Sequence, residues 1–177
     1  MWHWLRRRIT PAGAENPPEL LSQAKSTDEE IRRASAERLA TVTEPWAGPA
    51  LLDLLGDGHS VVRQAATDAF RRLGSGAAPI LQKGLDHAVP EVGRASAELL
   101  GEVGSSDAAD PLLVALKYGP RPVQIAAKKA LIKLGSASVP SLESARDETH
   151  PWVRQQIEEA LAAIQGNASS ASRSTPA

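Results

Sequence analysis

The residues best suited to chemistry are histidines that stand close to aspartates at regular intervals along the chain. The three pairs are Asp57 with His59, Asp86 with His87, and Asp147 with His150. Imidazole and carboxylate groups ligate metals and act as general bases, so a cluster of such pairs would be a candidate catalytic or metal site. Equivalent positions on packed helices, however, lie about 10 Å apart, whereas metal ligands converge to about 2 Å from one ion. We therefore interpret these side chains as polar turn residues and predict no metal site.

Other catalytic chemistry lacks the residues that it needs. The chain has no cysteine, which removes thiol catalysis and cysteinyl metal sites. It carries no G-x-S-x-G nucleophile motif and no glycine-rich phosphate loop. A formal net charge of −1 gives no overall attraction to nucleic acid. We therefore predict a protein that is not an enzyme, holds no cofactor and does not bind nucleic acid.

The elements that carry these residues form an internal repeat. Five copies of one helical pattern begin at Ile31, Val62, Val92, Val123 and Val153, at steps of 30 or 31 residues. In each copy apolar residues recur at spacings that trace one face of an α-helix. A proline leads a short leucine-bearing segment before each copy, and proline is tolerated in a first helical turn. These prolines are Pro18, Pro49, Pro79, Pro111 and Pro140.

Each period is therefore predicted to be a helix pair, with a short helix A opened by proline, a tight turn and a longer helix B. Gly74, Gly104 and Gly135 follow three of the B helices, as a C-terminal glycine should. One pair cannot bury its own apolar stripe but a stack can, so the predicted fold class is an all-α solenoid of about five helix pairs. The predicted repeats span 18–43, 46–74, 77–104, 107–135 and 138–166. Residues 1–17 are predicted to form an N-terminal arm, and 167–177 a disordered tail.

The repeated motif, typified by Val62-Arg63-Gln64-Ala65 after Asp57, resembles HEAT repeats. Its period is similar to that of the short HEAT repeats found in phycobilisome lyases and many bacterial scaffold proteins. The resemblance spans residues 18–166. It implies a right-handed α–α superhelix that binds other proteins, without implying a particular activity.

The resemblance also implies a structural role for the turn aspartates and for the arginines early in helix B. In HEAT repeats these residues form a polar ladder along the stack, and Asp57 with Arg63 matches the usual spacing. The implied ladder residues are Asp28, Arg32, Asp57, Arg63, Asp147 and Arg154. The fourth copy has Gln124 at the ladder position and no turn aspartate, so the ladder is expected to be interrupted there.

The fourth repeat departs most from the pattern and is the predicted partner-binding surface. Between Asp110 and Glu143 the chain has five basic residues and no acid. Positions 3 and 10 of its helix B are isoleucines, where the other copies have polar or small residues. An exposed apolar stripe with a cationic rim is typical of a protein-binding site. The predicted residues are Ile125, Lys128, Lys129, Ile132 and Lys133.

The N-terminal arm is the second candidate. Its sequence MWHWLRRR combines Trp2 and Trp4 with Arg6, Arg7 and Arg8, and such side chains anchor both protein partners and membrane surfaces. We expect the arm to cap the first repeat or to contact a partner, with membrane contact as an alternative. Its charges follow its apolar residues, the reverse of a secretory signal, so we expect a cytoplasmic location.

The sequence thus favours a non-catalytic scaffold or adaptor that binds another protein, as a small subunit of a larger assembly. Two alternatives stay open. One is an accessory or lyase-type subunit that acts on a cofactor-bearing partner protein, which would co-purify with a chromophore or metal. The other is a peripheral membrane adaptor that uses the arm.

Overall fold

A computed structural model describes residues 17–42, 46–148 and 150–173, with side chains described through Ala168. Within these residues the chain forms ten α-helices, three short 3-10 segments and no strand. The helices are α1 (Pro17–Gln23), α2 (Glu29–Leu39), α3 (Ala47–Leu54), α4 (Ser60–Leu73), α5 (Ala78–Gly84), α6 (Pro90–Val103), α7 (Ala109–Tyr118), α8 (Arg121–Leu134), α9 (Val139–Ser144) and α10 (Pro151–Arg173). The 3-10 segments are Gly74–Ala77, Ser106–Ala108 and Gly135–Ser138.

The helices stack as pairs in two layers. The longer helices α2, α4, α6, α8 and α10 follow one another in one layer, and in the other layer the shorter helix α3 packs against α5 and α7 against α9. In each pair the second helix is the longer one, as the repeat predicts. The predicted all-α solenoid of five helix pairs is therefore confirmed.

Glycine ends three of the longer helices at positions where the backbone adopts a positive φ. Gly74, Gly104 and Gly135 follow α4, α6 and α8 with φ values of 55°, 74° and 61°. A side chain with a Cβ rarely adopts such angles, so glycine stops the helix at little cost. The three predicted stops are in place.

The core is a continuous column of leucines, with alanines and glycines where the longer helices approach closely. The large side chains that are fully buried are Leu20, Leu39, Leu51, Val62, Phe70, Leu81, Leu100, Leu112, Leu116, Leu131, Leu142 and Ile157. Helices α6 and α8 come especially close at Gly101. A Cβ added to this glycine would lie 2.8 Å from the Cα of Ala130 in α8. Small residues at such points let two helix backbones pack at short range.

The prediction of a disordered tail over 167–177 is wrong for its first seven residues. Helix α10 continues without a break from Pro151 to Arg173. The segment is rich in alanine and serine and holds no proline before Pro176. Alanine has the highest helix propensity, so a helix that starts in the packed repeat can continue through this segment.

Candidate protein-binding surface

The outer face of the fourth repeat carries an apolar side chain among cations. Helix α8 buries Val123, Ala126, Ala127, Ala130 and Leu131, which puts the positions between them on the opposite face. Ile125 is 45% exposed there, and Tyr118, at the end of α7, is 76% exposed. We use the name repeat-four surface for six exposed side chains, which are Tyr118, Arg121, Pro122, Ile125, Lys129 and Lys133.

Two of the five residues predicted for this surface are not freely exposed. Ile132 is half-buried and packs against the core, so the predicted stripe of two exposed isoleucines is wrong at its second member. Lys128 binds the carboxylate of Glu159 and donates a hydrogen bond of 3.0 Å to Oε1 of Gln156, both in α10. The remaining three residues, Ile125, Lys129 and Lys133, do lie on one exposed face.

The cause of the misplaced isoleucine is the crossing geometry of the longer helices. Position 10 of helix B was predicted to point outward in every repeat. In α6 that position is Gly101, which is buried against Ala130 of the next repeat. Position 10 therefore belongs, in part of the array, to the contact between successive repeats, and Ile132 in α8 follows the same trend.

Three arginines on the longer helices of the first three repeats form ion pairs with nearby carboxylates. In α2 the Arg33 guanidinium lies 2.8 Å from Glu30 and 2.6 Å from Glu37. In α4 Arg71 reaches Glu102 of α6 at 2.8 Å, and this hydrogen-bonded pair lowers the pKa of Glu102 and raises the pKa of Arg71. In α6 Arg94 pairs with Glu98 at 2.6 Å.

Among the described residues, the exposed cations of the repeat-four surface form no such ion pairs, although the charge of Lys133 contributes to the lowered pKa of Glu102. In the part of the chain that the structure describes, no carboxylate lies within ion-pair distance of Arg121, Lys129 or Lys133. Lys117, at the base of the same repeat, is paired with Glu148 at 2.5 Å, which raises the pKa of Lys117. The face of α8 therefore presents three cations around one exposed apolar side chain.

Arg121 lies between two shallow cavities. The first, of about 340 Å³, is lined by Pro122, Ile125 and Lys129 together with Arg94 and Glu98 of α6. The second, of about 470 Å³, lies between repeats four and five, and is lined by Lys117, Tyr118, Arg121, Gln124, Glu148, His150, Trp152 and Val153. In the second cavity the Arg121 guanidinium stacks 4.0 Å from the centre of the Trp152 ring. The two cavities make the repeat-four surface uneven enough to hold side chains of a partner.

A third cavity lies where residues of the first three repeats meet, toward the N-terminal end of the described array. It has a volume of about 440 Å³ and a mostly apolar lining that includes Leu39, Val42, Leu73 and Ile80. It adjoins both ends of the segment 43–45, which lies outside the described residues, so we assign no site to it.

The implied polar ladder has a different pairing from the predicted one. Arg32 of the first repeat forms a bidentate ion pair with Asp57 of the second. Its Nε donates to Oδ2 at 2.7 Å and its Nη2 donates to Oδ1 at 3.1 Å. Arg63 does not pair with the Asp57 carboxylate; its Nη1 donates to the backbone oxygens of Asp57 and Gly58 at 2.7 and 3.0 Å. This ion pair of the ladder therefore joins two successive repeats. The hydrogen bond from Arg32 lowers the pKa of Asp57.

The remaining ladder residues take other positions. Asp28 caps α2, where its Oδ1 accepts a hydrogen bond of 2.9 Å from the Glu30 backbone N–H. Asp147 and Arg154 are both exposed, and no ion pair joins them in the described residues. In the fourth repeat Gln124 stands at the ladder position and donates to the Lys117 backbone oxygen at 3.5 Å, a weaker counterpart of the Arg63 contact with the turn.

Two of the turn histidines contact side chains of the preceding repeat. His87 Nε2 lies 3.1 Å from Asp53 Oδ1, and its Nδ1 accepts from the Val89 backbone N–H at 3.1 Å. His59 Nδ1 lies 3.0 Å from Nη2 of Arg32. Across the described ranges, no three histidine, aspartate or glutamate side chains gather closely enough to hold a metal ion.

The arm residues Trp2, Trp4, Arg6, Arg7 and Arg8 lie outside the described residues. Their predicted capping, partner or membrane contact stays a prediction. None of the helices in the described part of the chain is both long enough and apolar enough to cross a membrane.

Sequence reasoning missed Tyr118, Arg121 and Pro122 as members of the surface. They flank the turn between α7 and α8, where the period of neither helix predicts exposure. The run without acids does include all three residues, and it was the available signal.

The stacked helix pairs and the exposed face define a helical-repeat protein of the solenoid class. A sequence profile described as HEAT repeats matches residues 17–99 and 77–162, and the chain belongs to the HEAT-repeat family. No curated protein sequence matches the chain.

Solved structures of similar fold include natural and designed proteins. The complex of CpcE and CpcF of phycocyanin lyase from Nostoc sp. PCC7120 is 23% identical with a TM-score of 0.48, and the match covers 86% of this chain and 66% of that one. A designed armadillo repeat protein in complex with the peptide (KR)4 is 21% identical with a TM-score of 0.43, covering 82% and 80% of the two chains. An engineered protein is 22% identical with a TM-score of 0.45, covering 85% and 79%.

Proposed function

We propose that this chain is a non-catalytic protein-interaction scaffold whose partner docks on the repeat-four surface. Membership of the HEAT-repeat family suggests that the chain binds other proteins. The placement of the partner on the fourth repeat is specific to this proposal. A cytoplasmic location and a role as a small subunit of a larger assembly belong to the same proposal.

The observation that carries it is the contrast between α8 and the other longer helices. On α2, α4 and α6 the arginines Arg33, Arg71 and Arg94 are each held by a nearby carboxylate of the array. On α8 the exposed Ile125 stands among Arg121, Lys129 and Lys133, none of which forms an ion pair with a described carboxylate. Exposed apolar residues with a charged rim are what a binding partner covers.

The test is an affinity purification of the tagged chain from its native cells, beside the variant Ile125→Asp. Ile125 is 45% exposed, so the substitution should leave the far-ultraviolet circular dichroism unchanged. A charge placed in the centre of a buried interface should remove a stoichiometric partner. Ile132→Asp is unsuitable because Ile132 packs against the core and its loss would unfold the repeat.

The matched control is Val61→Asp, which changes a residue of α4 with 47% exposure. It introduces the same charge on a comparable side chain two repeats away. A partner that is lost with Ile125→Asp and retained with Val61→Asp supports the proposal. A partner that binds both variants equally contradicts the placement on α8.

Neither alternative function is advanced further. The likeness to the CpcE and CpcF complex is at the level of fold, and no described residue favours action on a cofactor-bearing partner. The membrane alternative depends on the arm, which lies outside the described residues.

A further inference from the structure

Building on the proposed scaffold function, we infer that the repeat-four surface binds an extended acidic segment of a partner protein, with an apolar side chain placed between two carboxylates. Three independent features lead to this chemistry. They are the cations that form no ion pair with a described carboxylate, the geometry of Arg121 and the position of Ile125 between charges.

The charge balance selects an acidic ligand. The run between Asp110 and Glu143 contains no acid, and the cations on its exposed face have no carboxylate partner among the described residues. A partner carboxylate can therefore bind Arg121 or Lys129 without first displacing an acid of this chain. At Arg33, Arg71 and Arg94 it would have to compete with the acids that already hold those guanidinium groups.

The geometry of Arg121 favours a carboxylate over a less directional anion. Its guanidinium carbon lies over the Trp152 ring, 4.0 Å from the ring centre, and this cation–π contact restrains the group. Stacking uses the flat face of a guanidinium and leaves the N–H groups at its edge free to donate. A guanidinium held in this way can donate two parallel hydrogen bonds to one carboxylate.

The spacing along α8 specifies the sequence pattern of the ligand. Arg121, Ile125 and Lys129 lie four residues apart on one helix face, so the two cations are separated by about 12 Å along the axis. An extended chain advances about 3.3 Å per residue, so about four residues cover this span. Side chains at i, i+2 and i+4 of an extended chain share one face. The expected ligand therefore reads acid-x-apolar-x-acid.

The cavity beside Ile125 can hold the apolar side chain of that pattern. It has a volume of about 340 Å³, and Pro122 and Ile125 supply its apolar lining between Arg121 and Lys129. A nucleic acid fits this face less well than an acidic peptide, because Glu98 lines the same cavity and Glu98 with Glu102 lines the adjoining one. A nucleic acid carries a phosphate at every nucleotide and would place several charges near these carboxylates, whereas the proposed peptide brings one acid to Lys129 with neutral residues beside it.

The experiment is a selection of random linear peptides displayed on phage against the folded full-length chain. The result expected is enrichment of the pattern acid-x-apolar-x-acid. A selected peptide, measured by fluorescence anisotropy, should bind about tenfold more weakly to Lys129→Glu. Its binding to Lys83→Glu, an exposed lysine on α5, should be unchanged. Raising the salt from about 0.1 M to about 1 M should weaken binding, because the Debye length falls from about 10 Å to about 3 Å.

The decisive experiment reverses the charge of two cations on the repeat-four surface. The same selection against the double variant Arg121→Glu with Lys129→Glu should enrich basic peptides in place of acidic ones. Selected peptides without acids overturn the inference even when Ile125→Asp abolishes their binding, and in that case the scaffold function still stands. Failure to select any peptide also overturns it, and the affinity purification then decides separately on the scaffold function. A thymidine oligonucleotide that binds more tightly than every selected peptide overturns it in favour of nucleic acid.

Discussion

The contact between α6 and α8 at Gly101 gives a stability prediction whose sign can be worked from the structure. A Cβ at residue 101 would lie 2.8 Å from the Cα and 3.0 Å from the Cβ of Ala130, whereas ordinary contacts are 3.4–4 Å. The nearest atom belongs to the backbone, so no side-chain rotation relieves the overlap. In Gly101→Ala the two helices must move apart by at least about half an ångström, which loosens the packing along their whole contact.

The magnitude follows from two opposing effects. Alanine is better than glycine in a helix interior by about 1 kcal/mol, and overpacking a tight core costs about 1–3 kcal/mol. The net expectation for Gly101→Ala is a loss of stability of up to about 2 kcal/mol. Gly166 of α10 is the matched control, because a Cβ there meets nothing within 4 Å. Gly166→Ala should gain up to about 1 kcal/mol, so the difference between the variants isolates the packing cost.

The assay is urea denaturation followed by circular dichroism and by tryptophan fluorescence, since coincident transitions are needed before free energies are compared. Melting temperatures provide a second measure, at about 2–4 °C per kcal/mol for a chain of this size. Gly101→Ala should fall below the wild type and Gly166→Ala should not. If Gly101→Ala were as stable as Gly166→Ala, the close approach of α6 and α8 at this point would be refuted.

Three further substitutions test polar groups that are buried or partly buried. Asp57→Asn should cost about 1–3 kcal/mol at neutral pH, because it weakens the contact with Arg32. Since the folded pKa of Asp57 is lowered from 3.8, the stability that it contributes is present above that value and is lost as the pH falls through the folded pKa. The deficit of Asp57→Asn should therefore shrink in acid, and a deficit independent of pH would contradict the ion pair. Ser96 Oγ is buried without a hydrogen-bond partner among the described residues, whereas Ser35 Oγ donates to the Ile31 backbone oxygen at 2.7 Å. Ser96→Ala should be neutral or stabilising and Ser35→Ala should cost about 1 kcal/mol in thermal melts, and equal losses would contradict the difference.

The helix pairs were predictable because each boundary carries its own local signal. Proline near the start of the short helices and glycine after the long ones act through backbone geometry that does not depend on the rest of the fold. Gly104, for example, adopts φ of 74° immediately after α6, where the sequence placed the helix end. The end of α10 had no such signal, because Gly166 lies inside the helix with open space around it.

The partners of the polar side chains were not predictable from spacing. Asp57 is six residues from Arg63 and 25 residues from Arg32, yet the carboxylate binds Arg32. The choice depends on how one repeat is displaced along the next, and hydrophobic periodicity does not encode that displacement. The same displacement buries position 10 at Gly101 and half-buries it at Ile132, so the exposed stripe was predicted one residue too long.

The fourth repeat keeps its structural contacts, while among the described residues three exposed cations of α8 form no ion pair. Gln124 still reaches the turn backbone at the ladder position, but it brings no positive charge and needs no turn aspartate. The apolar face of α8 is packed as in the other repeats, with Val123, Ala127 and Leu131 fully covered. Stability therefore does not require the acids that this repeat lacks, and their absence has its effect on the outer face, where Arg121 and Lys129 stay available. The fourth repeat therefore departs from the pattern of its neighbours in a way that leaves its core packed and exposes positive charge. Selection for binding a partner would produce such a departure.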